Sequence, residues 1–144
     1  ALRARNALVL GRGVEPDLSF LAGRGTALRR LGRLREAIPI LERALATPVR
    51  IEPVDSFTKI GVEWELGLAY AHGDEEIRDP VKALGHIASY TDGLGVIDLL
   101  SNAPDDRIES CRDEARAEMH RLVDEIGSSG TESAQEPPDD HEEQ

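Results

Sequence analysis

Apolar residues in this chain return every third or fourth position over long stretches, and that period permits helices and little else. The cleanest case is the stripe Ile108, Cys111, Ala115, Met119, Leu122 and Ile126, with charged residues on the other sides. The stretch RGTALRRLGRLREAIPILERALA, residues 24–46, carries the same period on both sides of Gly32. An apolar stripe has to be buried against a neighbour, so each one calls for a partner helix. Aromatic residues are only 3% of the chain, which leaves Leu, Ile, Val and Ala to fill the core. Those residues suit packed helices better than a sheet sandwich, and the reading is all-α.

Turn and cap residues divide the chain. ALRARNALVL, residues 1–10, reads as a helix ending at Gly11 or Gly13. Pro16 and Asp17 open the next, with Asp17 as N-cap and Gly32 as its stop. A helix over Leu34–Ala46 follows and continues through Pro39, because Ile38, Leu41 and Leu45 keep the period around it. Pro48 and Pro53 mark a linker, after which Asp55 or Ser56 caps a helix reaching Gly73. DEEIRD reads as a solvated acidic turn. Asp79 and Pro80 start a helix running to about Thr91, because Asp caps and Pro tolerates a first turn. A short helix, LGVIDLLS, follows separately. Pro104 and Asp105 open the last helix, which Gly127 ends, and residues 128–144 read as a disordered acidic tail.

Charge is unevenly placed within a net of -11. Ten arginines in residues 1–50 face only Glu15, Asp17, Glu36 and Glu42. Residues 51–126 hold eighteen acids against seven bases, and the tail holds six acids and no base. Such a chain repels phosphates overall, so no nucleic-acid partner is expected. No apolar run is long enough for a membrane span. The single cysteine, Cys111, allows neither an internal disulfide nor a thiolate metal site, and the expected compartment is cytoplasmic. The chain begins at Ala1, which leaves open a removed leader or a piece of a longer protein.

The catalytic motifs are missing. His72, His86, His120 and His141 form no metal-ligand spacing on one helix face. GRG occurs at 11–13 and 23–25 with no strand before it, so a dinucleotide loop is not expected. Cys111 lies mid-helix on an apolar stripe, a poor place for a nucleophile. The expectation is a protein that is not an enzyme and has no cofactor or metal.

Two helix pairs share a layout. Gly25 is followed by Gly32 at a turn, then by Ala37, Leu41 and Ala44. Leu66 and Gly67 are followed by Tyr70, a turn near Gly73, then by Ala83 and Ile87. Small residues of this kind sit where antiparallel helices cross closely, and larger ones fill the grooves beside the crossing. The layout resembles the tetratricopeptide repeat, with its W-x-x-L-G-x-x-Y and A-x-x-x-F signature. The longer turn before Asp79, Lys82 and Ala83 is similar to the Sel-like variant. The resemblance spans roughly residues 17–91 and implies antiparallel pairs stacked as a short TPR-like α-solenoid, with the last helix as a cap, over 1–127. An irregular helical bundle is the alternative.

In that family the first helix of each pair lines a concave surface. Carried over, this places Trp64, Leu68 and His72 beside Ser19, Arg29 and Arg30. The carboxylate clamp that some members build from Asn and Lys has Ala22, Thr26, Trp64 and Leu68 at the matching positions and is not expected here. Trp64 lies on a helix apolar on two sides, which is either buried between neighbours or lines a groove. The functional expectation is an adaptor or scaffold that anchors a protein or peptide on Trp64 and Leu68, with Arg29 and Arg30 orienting acidic groups. The alternative is an accessory domain or subunit of a larger enzyme, regulator or transport system.

Overall fold

The computed structural model of the protein describes residues 17–101 and 105–134, with side chains as far as 129. The expected helix over 1–10, Pro104 and residues 135–144 lie outside the described residues. Those described form helices and no strand. The helices are α1 (Leu18–Arg30), α2 (Leu34–Ala46), α3 (Val54–His72), α4 (Pro80–Leu100) and α5 (Asp106–Ala134).

The first turn of α1 is held as its sequence suggests: the Asp17 carboxylate accepts the N–H of Ser19 at 2.9 Å. At its other end Gly32 takes φ 80°, the only positive φ among the described residues, and lets the chain turn into α2. Pro39 is exposed and α2 runs through it.

Three boundaries differ from the sequence expectation. The N-cap position of α3 is Pro53, and Asp55 lies inside the first turn. The Asp55 carboxylate reaches backwards instead, accepting the N–H groups of Arg50 at 2.8 Å and Ile51 at 3.0 Å. It ties the preceding loop to the helix, and Ser56 donates to Glu52 at 2.6 Å. Second, α4 does not stop near Thr91 but continues to Leu100 as one helix. Gly93 and Gly95 weaken a helix by about 1 kcal/mol each. Tertiary packing offsets them, because Ile60 of α3 fills the space where a Cβ of Gly93 would stand, 2.5 Å away, and Leu94 is buried. Third, α5 passes through Gly127 and reaches Ala134. Glycine stops a helix by adopting positive φ, and Gly127 does not do so.

The pairs pack as the small residues require. Gly25 of α1 faces Leu41 of α2, and Gly67 of α3 faces Ile87 of α4; an added Cβ would come within 2.5 Å of the partner side chain in either case. Ala37 and Ala83 hold matching places in the two pairs and are both fully buried, as is Ala44. Ile60 meets Gly93 while Gly67 meets Ile87, so α3 and α4 run antiparallel. Helix α3 also touches α1 and α2, and α5 packs on α4. The core runs through all five helices, from Leu18, Leu21 and Leu41 through Val62, Leu66 and Ile87 to Ile108 and Leu122.

Candidate functional site

Helix α3 lies at the middle of the packing, and one side of it stays open. Val62, Leu66, Gly67, Ala69, Tyr70 and Ala71 are buried, which leaves Phe57, Gly61 and His72 exposed with Leu68 half-buried between them. These four are spaced at helical intervals and form one solvent-facing stripe. Trp64 flanks the stripe on the side of α4. It is half-buried, its ring tilted by 34° against Tyr90 with centroids 4.8 Å apart. Burial and a hydrogen bond with Cys111 of α5 push the Tyr90 hydroxyl above its usual range. His72, at the end of the stripe, lies 3.0 Å from a carboxylate oxygen of Glu118 on α5. Burial acts to raise the carboxyl of Glu118, but hydrogen bonds from Arg121 and His72 outweigh it and hold the group below its ordinary range.

The opposite flank of the stripe belongs to α1. Arg29, expected on a rim, is half-buried, and its guanidinium closes on Glu65, a residue that is only 8% exposed. A buried carboxylate is costly unless paired, and this pairing takes Arg29 out of the set of free cations. Arg30 is exposed and borders a hollow of about 350 Å³ between α1 and α3, lined also by Ala22, Thr26, Thr58, Gly61 and Glu65. Ser19 is exposed in the first turn of α1. The six expected residues therefore do not form one cluster. Trp64 leans on α4, and Leu68 and His72 lie on the open stripe of α3. Arg29 is tied to Glu65, Arg30 borders the hollow between α1 and α3, and Ser19 lies near the loop before α3.

Several contributors were not singled out from the sequence. Glu65 and Glu118 fix Arg29 and His72, and Tyr90 supports Trp64. A second polar group crosses α2, α3 and α4. The Tyr70 hydroxyl donates to Glu42 at 2.7 Å, the Tyr70 and His86 rings stack with centroids 5.8 Å apart, and His86 lies 2.6 Å from Glu63. Burial, followed by the bond to Glu42, raises the Tyr70 hydroxyl. The available signal was Glu63 and Glu65, two acids in the otherwise apolar run 60–71. Acids in that setting need partners.

A hollow of about 490 Å³ holds His72 near Glu36 and Asp74. Its arginines are already engaged, Arg33 with Glu36 and Arg35 with Glu76, and its lining has no hydroxyl or thiol to act as a nucleophile. Among the described residues no three His, Cys, Asp or Glu side chains are grouped to hold a metal ion. None of the described helices is long and apolar enough to cross a membrane. Comparison with protein-family models, with curated proteins and with solved structures finds no match.

Proposed function

We propose that the chain is a non-enzymatic adaptor of the tetratricopeptide and Sel-like kind, and that it takes a protein or peptide segment along the open stripe of α3. The observation that carries this reading is the repeated crossing: Gly25 faces Leu41 as Gly67 faces Ile87, and the fully buried Ala37 and Ala83 each stand four residues before that partner. A structure built from repeated pairs stacks them side by side and leaves the first helix of each pair facing a common groove. Leu68 and the exposed part of Trp64 supply the apolar anchor. Arg30 is the cation left to orient an acidic group, since Arg29 serves Glu65. Trp64 braced on Tyr90 is a rigid anchor of the type that dominates interface energetics.

Peptides selected from a displayed random library, with the whole chain as bait, test this reading. Trp64→Ala and Leu68→Ser should each weaken the selected peptides by about tenfold or more. Helical content should stay unchanged. Peptides that ignore both substitutions, or a library that yields none, would refute the groove.

A further inference from the structure

The two outermost described helices present very different faces to solvent. The outer side of α5 carries Glu109, Asp113, Arg116, His120 and Asp124, partly paired among themselves, as in the 3.1 Å contact of Arg116 with Asp113. The outer side of α1 is apolar. Phe20 is 54% exposed and Leu31 70% exposed, with Gly23 and Ala27 also exposed between them. Their spacing places all four on one exposed side of α1, with Gly23 and Ala27 also at the rim of the hollow between α1 and α3. Arg24 and Arg30 are exposed beside them, and neither forms an ion pair among the described residues. Their neighbours Arg29, Arg33 and Arg35 all do. Among the described residues this apolar stripe and its two cations have no partner.

We infer that this outer face of α1 docks an acidic amphipathic helix from a partner protein, with Phe20, Ala27 and Leu31 as the apolar contact and Arg24 and Arg30 pairing with carboxylates. Three observations select this occupant. The first is charge: two cations without carboxylates call for an acidic flank on the incoming surface. The second is shape. No atom lies within 4 Å of where a Cβ would stand at Gly23, so a helix can approach the backbone there. Gly25, two residues on, already admits Leu41 of α2 in that manner. The third concerns a second copy. Two α1 faces meeting across a twofold axis would bring Arg24 and Arg30 against their own images, so symmetric self-pairing is disfavoured. The face shares Gly23, Ala27 and Arg30 with the rim of the hollow beside α3 but does not rest on the groove reading.

The test uses the full chain, isotope-labelled for NMR, titrated with a synthetic acidic amphipathic helix (Leu on one face, Glu on its flanks) and with the same peptide carrying Lys for Glu. The acidic peptide should shift the backbone signals of Phe20, Gly23, Ala27 and Leu31. Phe20→Ser and Arg24→Glu should each weaken it by about tenfold or more, and Arg24→Lys should retain most of the binding. Trp64→Ala and Leu68→Ser should leave it unaltered, which separates this face from the groove. Equal binding of both peptides, no binding, or shifts confined to α3 would overturn the proposal. Signals of α1 that move with protein concentration alone would overturn it in favour of a second copy. Signals that move when residues 135–144 are removed would overturn it in favour of the chain's own acidic end.

Discussion

Glycine means different things at different positions of these helices. At Gly25 and Gly67 the missing side chain is occupied by a neighbour, since a Cβ would stand 2.5 Å from Leu41 or Ile87. Gly85 has nothing within 4 Å of that place. Gly25→Ala and Gly67→Ala should each destabilise the protein by about 1–3 kcal/mol through overpacking. Gly85→Ala should stabilise it by about 0.5–1 kcal/mol, because only the entropy of the unfolded chain and helix propensity change. Denaturant titration of the three variants checks the contrast, and equal effects at all three sites would contradict the close crossings. The sequence pointed to Gly25 and Gly67 because each opens a run of small and branched residues at helical spacing. It could not assign Arg29, whose role depends on Glu65, thirty-six residues away.

At the scale of elements, caps with local partners were legible and boundaries set by distant contacts were not. Asp17 and Asp79 cap their helices through the nearby N–H groups of Ser19 and Lys82. Asp55 has the same chemistry but serves the loop before α3. The N–H groups of Arg50 and then Ile51 hold its carboxyl below the usual carboxylate range. A carboxyl lowered in the folded state stabilises fully above its unfolded pKa, about 3.9, and loses that contribution as pH falls through the lower folded value. Asp55→Asn, which keeps an acceptor but cannot ionise, should therefore cost stability at neutral pH. The gap to the parent should narrow as pH drops below about 4. Denaturant midpoints across that range measure it, and a gap independent of pH would mean that the ionised carboxylate contributes nothing. The extensions of α4 beyond Thr91 and of α5 beyond Gly127 show the other side. Glycines weaken a helix locally, yet Ile60 rests on Gly93 and Leu94 is buried, so the longer α4 wins.

At the scale of the whole molecule, the last fully buried side chain that α5 contributes is Leu122, with Ile126 half-buried beyond it. A chain ending after Ser129 should keep its thermal midpoint to within about 4 °C, the equivalent of about 1 kcal/mol in a domain of this size. A larger loss in the melting curve would mean that residues 130–144 pack on the fold. By itself the sequence determined the all-helical class, the turn at Gly32, the two matched crossings and the apolar stripe of α5. The class, the turn and the stripe follow from helical periodicity and local backbone preference, which act within a few residues, and the crossings from the repeated layout of small residues in the two helix pairs. Only the tertiary structure decided that Arg29 is tied to Glu65, that Trp64 leans on Tyr90, and that Phe20 and Leu31 remain outside. A period of 3.6 residues tells which side chains share a face, but which neighbour covers that face depends on how distant helices dock. The charged and aromatic partners of a site are chosen at that step.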